Sequence, residues 1–280
     1  MMTYITGTAP YIRSPKTVSG MNWFTLVCLG PAVLVSLFLF RGDSLHVLGA
    51  AISAAMLAEI IGRKISGDKP TLHDGSAVLV GVLFGLMSPA TLPSAIVAIG
   101  SFFAVFFGKE IFGLPGQSPW NAALVGQAFL HVSFSKSMEV LAVSDSAAGL
   151  LPVQWSWVLG AGMLGECSAL ALAAGGMFLI WKKFFYWEIP WIYLGAMMIS
   201  LWFLGFRSWE SLPWGNIVLT AFFLITSPAS TPTTRMGLRV FALGSAFLCV
   251  ILRSVTEYFY VTPFAILMMN ALTPWIDMWF

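Results

Sequence analysis

Charge is what this sequence has least of. Only 9% of its 280 residues are Asp, Glu, Lys or Arg, where a soluble domain carries roughly a quarter. A water-facing surface cannot be built from so few charges, and the mean hydropathy of +0.86 agrees. The net charge is only +2. Its basic residues are scattered through short loops without a polybasic block, so a nucleic-acid partner has no basis. Cysteine is equally scarce. Cys28, Cys167 and Cys249 each lie inside an apolar run without CxxC spacing, so they form neither a disulfide framework nor a thiolate metal site. His46, His73 and His131 are isolated from one another, and no metal site is expected. A GxSxG elbow, a Walker loop and a nucleophile–base pair are all missing, which leaves soluble-enzyme chemistry without support. There is no long Pro/Ser-rich linker, so residues 1–280 are expected to form a single membrane domain. Met1 to Asn22 is polar and lacks the pattern of a signal peptide.

What is present is apolar sequence in lengths suited to a bilayer, which takes about 20 residues per helix. Spans are expected at Trp23–Phe40 and Leu45–Ile61, the second carrying Glu59 near its end. The uncharged stretch from Gly75 to Gly108 is too long for one crossing, and Pro89 and Pro93 divide it into two helices. Further spans are expected at Trp120–Phe134, Glu166–Trp181 (with 154–165 as an interfacial lead-in), Ile189–Phe206, Trp214–Pro228, Gly237–Leu252 and Tyr260–Ile276. That makes about ten transmembrane helices in an all-α fold. Lys and Arg set the orientation. With a cytoplasmic N-terminus, Arg13, Lys16, Arg63, Lys64, Lys69, Lys109, Lys182, Lys183, Arg235 and Arg239 fall on one side, against Arg41, Lys136, Arg207 and Arg253. Both termini are then cytoplasmic.

A repeat underlies these spans. Ser88-Pro-Ala90, followed by Thr91 and Pro93, is echoed by Ser227-Pro-Ala229, followed by Thr231 and Pro232. Ser118-Pro-Trp120 is echoed by Thr262-Pro-Phe264. The echoes pair the third span with the eighth and the fifth with the tenth, as a five-plus-five duplication requires. The halves would be about 14–135 and 154–277, joined by a loop at about 136–153. Because five is odd, the second half enters from the opposite side, and interrupted helices of inverted repeats meet near the midplane. Each Ser-Pro break frees backbone groups that hydrocarbon cannot satisfy. The hydroxyls of Thr226, Ser227, Ser230, Thr231, Thr233 and Thr234, with Arg235, can serve either as local partners or as an anion cradle. Glu166 at the head of a span can complement the helix dipole or contact an ion or cofactor. Asp74-Gly-Ser76 precedes the third span in the same manner and can serve simply as its cap or as a contact of the same kind.

Taken together, these segments resemble the D subunit of Rnf complexes and the homologous B subunit of sodium-pumping NADH:quinone reductases. The resemblance runs from Ser14 to Asp277. It rests on Asp74-Gly-Ser-Ala-Val78, on 112–126 with its Ser118-Pro-Trp-Asn121, and on Gly165-Glu-Cys-Ser168. Trp187-Glu-Ile-Pro190, Thr226-Ser-Pro228, Thr233-Thr-Arg-Met-Gly237 and Phe264 to Asp277 complete it. It implies a urea-transporter-like fold of two inverted five-helix halves, in a membrane subunit of an ion-translocating (Na+ or H+) electron-transfer complex. It also implies a multi-pass place in the bacterial inner membrane, with membrane and peripheral subunits and the lipid bilayer as partners. The implied cofactor is flavin, FMN or riboflavin, with Asp74, Ser76, Asn121, Glu166, Ser168, Thr226, Ser227, Thr231 and Thr234 as candidate flavin or ion contacts.

Two positions depart from the family. Where its loop carries a threonine esterified to FMN, aligning on Pro152 puts Leu151. A leucine forms no phosphoester, so no covalent FMN is expected there and any flavin would be noncovalent. Where the family has Thr-Asp-Pro, this chain has Thr226-Ser-Pro228, which removes a carboxylate from the broken helix. These departures leave a second reading open: a transporter or channel-like relative that uses the same cavity without redox chemistry.

Overall fold

The structure, a computed structural model, describes residues 17–67, 71–113, 118–138, 163–165, 168–203, 214–255 and 261–279. The described residues form helices and short turns, with one isolated bridge between Pro89 and Met163 and no regular strand. The helices are α1 (Val18–Phe40), α2 (Gly42–Ser66), α3 (Ser76–Leu86), α4 (Ser94–Gly108), α5 (Ala122–Ser133), α6 (Ala169–Trp181), α7 (Glu188–Phe203), α8 (Trp214–Leu219), α9 (Arg235–Val255) and α10 (Thr262–Trp279). A single extra turn, Ser135–Met138, follows α5.

Local chemistry explains where these helices start and stop. Thr17 caps α1 by accepting from the Gly20 N–H, and Asn121 caps α5 by accepting from that of Ala123. Gly67, at φ 78°, closes α2 in the left-handed conformation that glycine tolerates, donating to the Arg63 and Lys64 carbonyls. Ahead of α3, the Asp74 carboxylate accepts from both the N–H (2.8 Å) and the hydroxyl (2.6 Å) of Ser76.

Val18–Phe40, Gly42–Ser66, Ser94–Phe112 and Arg235–Val255 are long and apolar enough to cross a bilayer, and further apolar helices are shorter. The outward faces carry large apolar side chains, among them Phe38, Ile65, Phe203 and Val255, as lipid-facing surfaces do. The chain is a multi-pass membrane protein. With 11 residues, α3 reaches only about 16 Å, half of a hydrocarbon core of about 30 Å. The sequence expects a span from Trp214 to Pro228, but α8 gives way at Thr220–Leu224 to a π-helical turn. Ile225 there donates to the Thr220 carbonyl, so the helix is already interrupted before Ser227-Pro228 is reached.

Packing is close where small residues face backbone. A Cβ on Gly81 of α3 would stand 2.9 Å from the Ile52 Cα of α2, and one on Gly175 of α6 would collide with the Cys28 carbonyl of α1. A continuous buried cluster joins Leu29, Phe84 and Leu130 to Leu172, Phe222 and Phe241. The free thiols Cys28 and Cys249 are buried within it; Cys167 lies outside the described residues.

Candidate functional site

The two Ser-Pro breaks have different surroundings. At the first, every residue from Gly81 to Ala90 is buried. The Ser88 hydroxyl donates back to the Phe84 carbonyl (2.9 Å), and the Gln127 amide donates to that carbonyl (2.8 Å) and to Ser88 Oγ (3.0 Å). The carbonyls of Leu86 and Ser88 accept from the N–H groups of Gly165 (2.7 Å) and Leu164 (3.1 Å). Ser36 then holds the Leu164 carbonyl at 2.7 Å. A segment distant in sequence thus supplies the donors that the broken helix lacks.

At the second break, Pro228 and Ala229 are exposed. Thr226 donates to the Phe222 carbonyl (2.5 Å), Thr231 to that of Ser227 (3.0 Å), and the Asn121 amide to that of Leu224 (3.3 Å). With its amide turned to satisfy both neighbours, Asn270 donates to the Ser230 carbonyl (3.1 Å) and accepts from the Asn121 N–H (3.2 Å). This break opens onto a cavity of about 330 Å³.

The cavity gathers one end of several helices. The start of α1 contributes Asn22 and Thr25, the start of α3 contributes Asp74 and Ser76, and the end of α4 contributes Lys109. Ser118, Trp120 and Asn121 come from the approach to α5, Phe185 from beyond α6, and Phe223 and Ser227 from the second break. The lining therefore combines polar groups with the aromatic rings of Trp120, Phe185 and Phe223. Asn22 holds the Asp74 carbonyl at 3.0 Å, while Asp74 Oδ2 makes no hydrogen bond among the described residues.

Behind this wall lies a buried charge network. Lys109 Nζ donates to Ser76 Oγ (2.6 Å) and Glu59 Oε2 (3.2 Å), and stands 3.3 Å from Glu110 Oε1. Glu110 also pairs with Arg63 at 3.0 Å, and Thr71 donates to the other oxygen of Glu59 at 2.7 Å. The Glu59 side chain is 0% exposed. A carboxylate so buried is tolerated because each oxygen is hydrogen-bonded and a cation stands beside it. A hydrogen-bonded chain therefore runs from Glu59 through Lys109 and Ser76 to Asp74.

Of the candidates named from sequence, Asp74, Ser76, Asn121 and Ser227 converge on the cavity. Thr226 and Thr231 line an adjoining one. Two others stand apart from both. Ser168 is buried and donates to the Gly165 carbonyl, and Thr234 accepts from the Gly237 N–H at the start of α9, a capping contact. Glu166 and Leu151 lie outside the described residues. Ser88 and Pro89 line neither of these two cavities. Sequence reasoning missed Asn22, Lys109 and Trp120 as lining groups. A signal for Lys109 existed: Glu59, Arg63, Lys109 and Glu110 are charges at the ends of apolar runs, where an ionisable group needs a partner.

Comparison with known proteins finds relatives along nearly the whole sequence. Residues 5–280 match the family described as NQR2, RnfD, RnfE. The D subunit of the proton-translocating ferredoxin:NAD(+) oxidoreductase complex of Clostridium ljungdahlii is 31% identical, over 96% of this chain and 92% of its own. Its counterpart, the D subunit of the Na(+)-translocating ferredoxin:NAD(+) oxidoreductase complex of Acetobacterium woodii, is 30% identical, over 96% and 91%. The D subunit of an ion-translocating oxidoreductase complex of Methanosarcina acetivorans is 29% identical, over 99% and 96%. A match along nearly the full length, on a fold with the expected broken helices, means that this chain belongs to the NQR2, RnfD, RnfE family.

Proposed function

We propose that the chain is the membrane subunit of an ion-translocating electron-transfer complex of Rnf type, and that it holds FMN or riboflavin noncovalently in the cavity between Asp74, Trp120 and Ser227. The observation carrying the first part is the near-complete match to D subunits of proton- and Na(+)-translocating ferredoxin:NAD(+) complexes. The other subunits of such a complex are its partners, and the bacterial inner membrane its place, with both termini cytoplasmic.

The cavity suits a flavin in kind. A flat ring with a hydrogen-bonding edge calls for aromatic faces and a few fixed polar groups. Trp120, Phe185 and Phe223 offer the first, and Asn22, Asp74, Ser76, Lys109 and Asn121 the second. A bound flavin would supply one- and two-electron exchange between partner subunits. The chain's own residues hold and orient it. Ser76 fixes one Asp74 oxygen and leaves Oδ2 for a ligand N–H, while Lys109, anchored by Glu59 and Glu110, keeps a positive charge at the wall.

Helix polarity supports two inverted five-helix halves in one domain. At the cavity end α1, α3 and α5 begin, while α6 and the broken α8 finish. The ends of α2 and α4 join in the Glu59–Lys109 network; the starts of α7 and α9 join through Glu188 and Arg239. Each helix therefore runs opposite to its counterpart five positions on. The packing pairs α2 with α4 and α4 with α5 recur as α7 with α9 and α9 with α10, and the counterparts α1 and α6, like α5 and α10, pack on each other. A pseudo-twofold axis in the membrane plane has these properties.

Intact mass and flavin fluorescence of the complex purified with its partners test the reading. The expected result is a bare-chain mass for this subunit, flavin released by denaturant, and a lower flavin-to-protein ratio in Asp74→Asn with Asn121→Leu. A mass increased by a flavin phosphate refutes noncovalent binding. A subunit whose assembled complex loses no flavin in the double variant refutes the cavity assignment.

A further inference from the structure

The cavity at the second break carries one charge of each sign. Among the described residues, Lys109 is the cation in its lining and Asp74 the anion. Ser76 stands between them: its hydroxyl accepts from Lys109 Nζ at 2.6 Å and donates to Asp74 Oδ1 at 2.6 Å. A lysine ammonium has three N–H groups and no acceptor. Three oxygens surround this one, because Glu59 Oε2 stands 3.2 Å from Nζ and Glu110 Oε1 3.3 Å, in addition to Ser76 Oγ. What Lys109 presents to a ligand is therefore its charge, since its donors are directed elsewhere.

That charge is held from behind. Glu59 and Glu110 are buried and do not line the cavity. Glu110 is matched by Arg63 at 3.0 Å, which leaves Glu59 as the counter-charge of Lys109, its other oxygen accepting from Thr71. Helix α2 makes room for this arrangement at Gly62, where a Cβ would stand 2.6 Å from that of Glu110. A ligand in the cavity meets the ammonium in the wall and the balancing carboxylate behind it. Coulomb energy falls with distance, so the two do not cancel and the wall at Lys109 is positive. Asp74 acts in the opposite sense from the same lining.

We infer that Lys109 and Asp74 set the redox poise of the cavity's ligand in opposite directions, Lys109 favouring the reduced form and Asp74 the oxidised form, with Glu59 holding the lysine in place. The inference rests on flavin occupying this cavity. Two electrons, from a reduced partner subunit or from dithionite in the test below, enter the ring system with one proton from solvent and leave it one negative charge richer. A fixed positive charge stabilises charge that develops beside it, and does so without rearrangement when its own partners already hold it. A fixed carboxylate opposes the same change.

Spectroelectrochemical titration of flavin absorbance in the complex purified with its partners tests the inference. The wave to follow is the one diminished in Asp74→Asn with Asn121→Leu. Lys109→Met with Glu59→Gln removes both members of the pair and leaves Glu110 with Arg63, so no buried charge is stranded and the flavin content should hold. This variant should favour the reduced form about tenfold less, which is about 30 mV for a two-electron couple. Lys109→Arg keeps the charge and should stay within about threefold of the unmodified protein. Asp74→Asn, read on the flavin it retains, should move the midpoint the other way by about the same factor. A disturbance of structure alone gives no reason for shifts of opposite sign. The inference is overturned if the pair variant leaves the midpoint where it was, or moves it in the same direction as Asp74→Asn. It is also overturned if Lys109→Arg shifts the midpoint as far as the pair variant does. Undiminished flavin in Asp74→Asn with Asn121→Leu sinks the cavity assignment and this inference with it, whereas diminished flavin there and an unmoved midpoint in the pair variant sinks this inference alone.

Discussion

Ser88-Pro89 and Ser227-Pro228 are the same chemical interruption placed in two different solvents. The first is sealed in protein. Gln127, Gly165 and Leu164 satisfy the groups that its proline frees, and no part of Ser88 is exposed. The second is left partly open. Its carbonyls are held by Thr231, Asn121 and Asn270, and its prolyl turn lines a cavity that Asp74 also lines. A break of this kind in a membrane helix therefore says that backbone groups need partners, and does not say who supplies them. Where protein supplies all of them the break is a structural joint, and where space remains it becomes a place for a ligand.

The largest expected effect comes from making one change at both breaks. Ser88→Asp buries a carboxylate without a cation, at a cost of several kcal/mol, and should yield no folded protein after detergent extraction. Ser227→Asp places the same group on a cavity wall and should melt within about 4 °C of the unmodified protein, the shift that ~1 kcal/mol produces in a chain of this size. Size-exclusion profiles and thermal midpoints measure both, and equal losses at the two sites would erase the distinction between them. A smaller effect is expected of Gln127→Leu, which removes the amide serving Phe84 and Ser88 and should cost about 1–3 kcal/mol. The flavin-to-protein ratio should stay unchanged, because Gln127 lines neither cavity; loss of flavin would tie the sealed break to the site after all. The smallest effect belongs to Thr226→Val, which loses only a back-bond to the Phe222 carbonyl and should lower stability by about 1 kcal/mol. A loss larger than that for Gln127→Leu in the same denaturation assay would reverse the ranking of the breaks.

Much of the fold was legible because lipid restricts what a chain can do. An apolar run from Trp23 to Phe40 has few alternatives to a helix, and the observed α1 shares its C-terminal end. Pro89 and Pro93 divided the long uncharged stretch where α3 and α4 separate. The early end of α8 was not legible: Thr220–Leu224 reads as ordinary apolar helix, and its π turn has no proline or glycine to announce it. Within the site, Asp74 and Ser76 were visible as a polar pair ahead of a span. Lys109 was counted only as a basic loop residue: its neighbour Glu110 and the other charges at span ends were in view, but that α2 brings Glu59 to its ammonium is decided by packing between helices. Thr234 carries the same hydroxyl as Thr226 and Thr231, but it sits one residue before a helix and caps it.

By itself, then, the sequence determined the solvent, the helical class and the positions of the two breaks, because hydropathy and proline act through neighbours along the chain. The tertiary structure decided which break is sealed and which opens. That outcome depends on Gln127, Leu164 and Gly165 reaching one break and on Asn121 and Asn270 reaching the other. Those contacts join residues tens of positions apart, and the free energy of satisfying a buried carbonyl does not depend on how far along the chain its donor lies.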